Sequence, residues 1–172
     1  MTDTRLTKSV LADLVDFTKV TAEAWVDAQL VKENSYGVEL LVAPNPGANF
    51  EGASNYNFAN TLNGAEHDHQ WYLANAHGKN LICLETGMDS HEAVRLWQGL
   101  VKQIRGAFPW GGAVIDPAYG LIVGTSGFKE DEDILFSRTI RNRLVMLLDR
   151  EGDDVIDDTR QGSYRFTTVV HE

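Results

Sequence analysis

The spacing of apolar side chains divides the first third of the chain into a helical and an extended segment. From Thr4 to about Lys32, apolar residues recur every three or four positions, and this period predicts an amphipathic helix. The stripe consists of Leu6, Val10, Leu14, Thr18, Thr21, Trp25 and Ala28, widened by Leu11 and Val15. The segment "YGVELLVAPNP" then alternates between apolar and other residues until Pro44, which predicts a strand closed by a turn.

The middle of the chain has weaker periodicity. Residues Gly47 to Gly64 are rich in Asn, Gly, Ser and Ala and show neither period, which predicts a long loop. Such a loop often lines a functional site, although an inert insertion explains it equally well. The stretch "AEHDHQWYLANAHG" predicts a short helix with Gly78 as its C-cap. The apolar run "NLICLE" predicts a buried strand, with Cys83 as a small buried hydrophobic residue.

The second half predicts two helices and a strand pair. The first helix lies in "DSHEAVRLWQGLVKQIRG", with Asp89 or Ser90 as its cap, and the strands lie in "GGAVIDPAYGLIVGTSG", joined by a turn. The segment "KEDEDILFSRTIRNRLVMLLDREG" predicts the last helix, whose acidic first turn matches the helix dipole. The predicted inward faces are Ala93, Trp97, Leu100, Val101 and Ile104 in the first helix, and Leu135, Phe136, Ile140, Leu144 and Leu147 in the last.

This order of elements predicts an α/β (α+β) fold, a single-domain sandwich in which a mixed or antiparallel sheet is covered by helices. A chain of 172 residues is long enough to bury one core without a second domain. We assign residues 1–152 to the domain and residues 153–172 to a C-terminal tail or edge strand.

The net charge of −10 argues against nucleic acid and anionic lipid as partners. No run approaches the roughly 18 apolar residues that a membrane span requires, and the mean hydropathy is −0.25. The first ten residues lack a basic region followed by an apolar stretch, so we expect a cytoplasmic protein without membrane attachment. The single cysteine excludes an intrachain disulfide.

Three histidines within eleven residues, His67, His69 and His77, suggest a metal site. On a helix, however, the first two point about 200° apart, and Leu73 stands where an acidic ligand would be expected. We therefore predict no metal ligand, and a metal hydrolase based on these histidines is an alternative hypothesis.

Nucleophilic catalysis and phosphate binding are poorly supported, and the catalytic residues, if any, are unknown. Ser126 lies in "GTSGF", which lacks the Gly-x-Ser-x-Gly pattern of a nucleophile elbow. The same turn lacks the P-loop pattern, and the acids from Glu130 to Asp133 would repel a phosphate at the start of the last helix. The aromatic pair Trp71 and Tyr72 beside His77 would suit a planar ligand, although core packing is the more common role of such a pair.

The stretch from Gly106 to Leu148 resembles the C-terminal part of the haem-degrading/GlcG/HbpS-like family. The residues that carry the resemblance form three groups. They are Gly106, Ala107, Phe108 and Pro109; Gly124, Ser126 and Gly127; and Glu130, Asp131 and Asp133. The segment "NGAEHDHQWYLANAHGKN" is similar to the middle helix of that family.

The resemblance implies a small α/β protein that forms a homo-oligomer and binds a small ligand, with haem or a related tetrapyrrole as the candidate. No haem-ligand motif can be carried over residue by residue, so the cofactor is unknown. We expect a ligand site between the loop 47–64, the helix with Trp71, Tyr72 and His77, and the turn with Thr125 and Ser126. The alternative from a different class is a protein-interaction module without a ligand pocket.

Overall fold

The computed structural model of the chain describes residues 5–28, 35–47, 49–61 and 67–159, and within them it shows one α+β domain. The predicted fold class is therefore confirmed. In chain order the elements are α1 (Lys8–Asp27), β1 (Ser35–Val42), β2 (Ser54–Thr61), α2 (His67–Thr86), α3 (Ser90–Leu96), α4 (Gln98–Val101), β3 (Ala113–Asp116), β4 (Leu121–Ser126) and α5 (Glu130–Thr159).

The four strands form one sheet in the order β2-β1-β4-β3, and every neighbouring pair is antiparallel. The register is fixed at the centre, where Val38 of β1 lies opposite Phe58 of β2 on one side and Thr125 of β4 on the other. Of the two predicted arrangements, mixed and antiparallel, the chain therefore adopts the antiparallel one.

Helices cover both faces of the sheet. Alternate strand residues such as Val38, Leu40 and Val123 pack with α1 and α5 in the larger core cluster. On the opposite face, Cys83 of α2 packs against Leu41 and Ile122. The strand side chains alternate between the two faces, which is the pattern expected of a sheet buried on both sides.

Part of the predicted loop 47–64 is a strand, so that prediction was wrong. All eight residues of β2, from Ser54 to Thr61, pair with β1. Asparagine is disfavoured in strands on propensity alone, but pairing along a whole neighbouring strand outweighs that preference. Phe58 is buried in the core at the centre of this strand, and Tyr56 packs against the same cluster.

Gly78 does not end a helix, and "NLICLE" is not a strand. Both lie inside α2, which runs without interruption for 20 residues. Gly78 is instead a packing position, because a Cβ atom there would lie 2.8 Å from both the backbone nitrogen and the Cβ of Phe108. A short apolar run does not distinguish a strand from a buried helix by periodicity. Cys83 is buried, as predicted, but on a helix.

The predicted helix from Asp89 to Gly106 is two shorter helices that meet at Trp97, where φ is −130° and ψ is 38°. The inward face is correspondingly smaller, since Ala93 and Val101 are buried while Trp97 and Leu100 are exposed. In α5 the predicted face is confirmed except at Leu135, which is 56% exposed.

The helix α5 spans 30 residues and continues past the predicted domain boundary at residue 152 to Thr159. The predicted strand in the last ten residues lies outside the described residues, so it stays a prediction. Within the described ranges, no helix combines the length and the apolar character that crossing a membrane requires.

Candidate functional site

A pocket of about 390 Å³ opens between α2, the segment 108–110 and the turn that joins β4 to α5. Its aromatic lining is Tyr72, Phe108, Trp110 and Phe128. Its polar lining is Lys79, Ser126, Lys129, Glu130 and Asp133. Aromatic side chains around a few polar groups, in a volume of this size, are typical of small-molecule sites.

A buried ion pair lies in this lining. The Lys79 Nζ atom of α2 donates to Asp133 Oδ2 of α5 at 2.8 Å and to the carbonyl oxygen of Thr125 at 2.8 Å. Both side chains of the pair are only 3% exposed. The ring of Phe108 lies 5.8 Å from the same ammonium group. An ion pair with this little solvent contact depends on the hydrogen bonds around it, so it fixes the position of α2 relative to the first turn of α5 at the pocket.

Burial raises the pKa of Asp133 to about 7, although the ion pair with Lys79 and the hydrogen bond from Phe128 N favour the ionised form. The nearby carboxylate of Glu132 raises the pKa slightly further. The Asp133 carboxyl group therefore changes its protonation state near neutral pH. A carboxyl group in a pocket with such a shift is a common feature of functional sites.

Ser126 provides a second buried polar group on the wall of the pocket. The residue is 5% exposed, and it is the last residue of β4, on the sheet face that α2 covers. Within the described part of the chain, its hydroxyl group has no hydrogen-bond partner. The hydroxyl oxygen is open to the pocket rather than enclosed by protein, which makes it a candidate hydrogen-bond contact for a ligand.

The backbone amides of the turn after β4 are occupied by the chain's own acidic residues. Phe128 N donates to Asp133 Oδ1 at 3.0 Å, and Lys129 N donates to Glu132 Oε2 at 2.9 Å. These contacts confirm the interpretation of the acidic run as a helix start. A phosphate would have to displace two carboxylates to reach these amides.

Gly127 brings the turn against the sheet. Its φ of +133° is a conformation that residues with a Cβ rarely adopt, and a Cβ atom there would overlap the carbonyl oxygen of Ser35 in β1. The glycine therefore allows the turn to lie directly beside β1 and to form one wall of the pocket.

Two of the five predicted ligand-binding residues, Tyr72 and Ser126, line the pocket. Trp71 is 64% exposed and is not among the lining residues. The Thr125 hydroxyl points to the other face of the sheet, where it lies 2.7 Å from Ser137 Oγ, and only the Thr125 carbonyl oxygen reaches Lys79.

The fifth predicted residue, His77, lies on another side of α2. Five residues separate it from Tyr72, which places the two side chains about 140° apart around the helix. The Nδ1 atom of His77 is 2.9 Å from both carboxylate oxygens of Glu39. Asn55 and Asn80 also donate to that carboxylate, at 2.7 Å and 2.9 Å. The carboxylate orients the imidazole ring, whose side chain is 50% exposed.

No group of three or more potential metal ligands occurs among the residues that the structure describes. The side chains of His67 and His69 lie outside those residues. The hypothesis of a metal hydrolase based on the three histidines therefore stays a prediction.

Sequence reasoning did not identify Lys79, Phe108, Trp110 and Asp133 as site residues, and it also missed Glu39. A signal existed for Glu39, because it is the single charged residue within the apolar strand "GVELLV". In the sequence, Phe108 contributes only to the family resemblance, and Asp133 only to that resemblance and to the acidic helix start. Nothing in the local sequence marks Lys79, whose burial results from the packing of α2 on the sheet beside the end of β4 and the first turn of α5.

No family sequence model and no curated protein sequence matches the chain. Solved structures that share its fold include the following two. One is the crystal structure of Klebsiella pneumoniae protein ORFY, of the family DUF336, with a TM-score of 0.54 and 13% identity over 81% of this chain and 90% of that chain. The other is the crystal structure of a PduOC:haem complex, with a TM-score of 0.51 and 16% identity over 80% of this chain and 94% of that chain. At these identities the similarity establishes that the chain has the fold of the DUF336 protein and of PduOC.

Proposed function

We propose that this chain is a small-ligand-binding protein of the GlcG-like family and that the ligand occupies the pocket between α2 and the turn after β4. The observation that carries the proposal is the combination of aromatic walls with buried polar groups. Tyr72, Phe108, Trp110 and Phe128 provide the walls, and Lys79 with its partner Asp133 provides the polar groups. Such a lining binds a flat organic molecule through its faces and orients it through one polar edge.

Haem is the candidate ligand with the most support. PduOC, whose fold this chain shares, has been crystallised as a haem complex. The lining fits the group in character, because aromatic side chains suit the porphyrin ring and Tyr72 is of a residue type that ligates haem iron. A bound haem would supply an iron centre for binding or redox chemistry, while the chain would supply the enclosing walls.

Titration of the purified chain with haemin tests this proposal. We expect a saturable Soret shift with one haem per chain. Trp110→Ala should weaken binding about tenfold or more, since it removes a large apolar contact from the pocket wall. Trp71→Ala is the matched control, because both tryptophans are more than half exposed and only Trp110 lines the pocket. Equal effects of the two substitutions would contradict the assignment of this pocket.

His77→Ala separates this site from the rival position on α2. His77 is oriented by Glu39 and lies outside the pocket lining. If the haem occupies the pocket, this variant should bind haemin with unchanged affinity. Loss of the Soret shift in His77→Ala alone would place the haem at the imidazole instead.

A second candidate function, protein interaction, is supported by an apolar surface on α3 and α4. Leu96 is 57% exposed, Trp97 is 53% exposed and Leu100 is 39% exposed. Exposed apolar side chains that form one contiguous patch mark interaction surfaces. We propose that this surface forms the homo-oligomer. Light scattering should then show an oligomer for the natural chain and a monomer for Trp97→Asp, whereas a monomeric natural chain would contradict the proposal.

A further inference from the structure

The ammonium group of Lys79 has one hydrogen-bond donor left for a ligand. A lysine carries three donors, and two of them are used, one by Asp133 Oδ2 and one by the Thr125 carbonyl oxygen. Within the described residues no third acceptor is present, while the side chain lines the pocket and is 3% exposed. A buried ammonium group in this state favours an additional oxygen acceptor.

Ser126 offers a second donor in the same lining. Its hydroxyl group has no partner in the described part of the chain, and the residue is 95% buried. The remaining N–H of Lys79 and the pocket-facing hydroxyl of Ser126 can both donate to a ligand, and together they indicate its chemistry. A carboxylate satisfies both at once, since it has two oxygens and no donor of its own.

We propose that the pocket is selective for aromatic carboxylates, with the carboxylate accepting hydrogen bonds from Lys79 Nζ and Ser126 Oγ and the ring lying against the aromatic walls. This inference rests on the proposed function and names the class of ligand. Haem carries two carboxylates and therefore belongs to that class.

The protonation state of Asp133 must change when a ligand carboxylate binds to Lys79. Two carboxylates that share one ammonium group repel each other at this distance, so one of them takes up a proton. Asp133 has a pKa of about 7 before binding, which makes it the group that is protonated at little cost. The charged groups around it are Lys79 of α2, Lys129 of the turn, and Glu130 and Glu132 of α5.

Above the pKa of Asp133, ligand binding is therefore coupled to the uptake of one proton from solvent. If the carboxylate binds only when Asp133 is protonated, the affinity follows the protonated fraction of this residue. For a pKa of about 7, that fraction rises about tenfold between pH 8 and pH 6. An aromatic acid stays ionised over this range, so the change in affinity reports on the protein.

Calorimetry with 2-naphthoate and its uncharged analogue 2-naphthamide, using the full chain, tests the inference. At pH 6 we expect 2-naphthoate to bind at least about tenfold more tightly than the amide. Its affinity should fall about tenfold at pH 8, with the uptake of one proton. Ser126→Ala, a small change that leaves the ion pair intact, should lower the preference for the acid several-fold. In Asp133→Asn the pH dependence should vanish.

The outcomes distinguish this inference from the proposed function. Equal affinities for the acid and the amide, with NMR shifts at Tyr72 and Trp110, would overturn the carboxylate preference and leave the pocket as a ligand site. Binding of 2-naphthoate that does not change with pH would overturn the role of Asp133. If neither compound shifts the pocket signals and haemin does not bind, both proposals are wrong.

Discussion

Replacing Asp133 by asparagine should change how the stability of the protein depends on pH. In the folded chain the pKa of Asp133 is raised to about 7 by burial, whereas an aspartate in the unfolded chain has a pKa near 3.9. Between these two values the folded state holds a proton that the unfolded state has released. The natural chain therefore loses stability as the pH rises through this window, and the loss levels off above pH 7.

The size of this loss of unfolding free energy follows from the raised pKa of Asp133. Each pH unit inside the window costs about 1.4 kcal/mol, so the interval from pH 5 to pH 8 costs about 2 to 3 kcal/mol of unfolding free energy. The asparagine variant does not pass through this titration. It has a separate cost of about 1 to 3 kcal/mol at every pH, because its side chain has one acceptor oxygen for the two donors Lys79 and Phe128 N.

Urea unfolding of the natural chain and of Asp133→Asn at pH 5, 6, 7 and 8 measures the difference. We expect the variant to be less stable at pH 5 and the gap to shrink by about 2 to 3 kcal/mol at pH 8. Asp131→Asn is the matched control, since it removes an exposed carboxyl group from the same helix start. Parallel pH profiles for the natural chain and Asp133→Asn would refute the reasoning, as would an equal change in the control.

Three further predictions concern the fold around the site. Gly127→Ala should destabilise the chain by about 3 kcal/mol or more in thermal unfolding. The new methyl group would overlap the carbonyl oxygen of Ser35, and the backbone conformation at this position is unsuited to alanine. An unchanged melting temperature would be incompatible with the position of the turn. Leu144→Ala should lower the unfolding free energy by about 2 to 5 kcal/mol in chemical unfolding, since this side chain of α5 is fully buried. Leu135→Ala, at an exposed position of the same helix, should change it by less than about 1 kcal/mol. Burial raises the pKa of the Cys83 thiol, so the native chain should react with a thiol reagent far more slowly than the unfolded chain; similar rates would show that α2 does not bury this residue against the sheet.

The sequence predicted the elements whose local preferences agree with their final environment. Helix α1, strands β1, β3 and β4 and the body of α5 were all identified, because their periodicity and turns point to the same structure that packing selects. Strand β2 was missed because its asparagines disfavour a strand and only pairing with β1 overrides them. Gly78 was wrongly predicted as a helix end. Glycine is required there by close contact with Phe108, which is distant in sequence and cannot be seen in the local pattern.

The positions of the predicted ligand-binding residues relative to the pocket have a similar explanation. Tyr72 and Ser126 lie in the pocket, since a residue near the start of α2 and one at the end of β4 are neighbours in this topology. His77 was grouped with Tyr72 on the basis of proximity in sequence, but the helical twist separates the two side chains. The Lys79 and Asp133 pair was not predicted, because these residues are 54 positions apart and meet only after α2 and α5 have each packed on the sheet.

Line broadening by substoichiometric haemin, followed in amide NMR spectra of the full chain, tests the central claim most directly. The paramagnetic iron broadens signals near the site where it binds. The pocket assignment predicts saturable broadening first at Ser126, Gly127 and Phe128, with Gly120 and Leu121 preserved at the other end of β4, about 20 Å away. Broadening that begins at Glu39 and Asn55, or that affects all amides equally, would contradict the claim that this pocket is the ligand site.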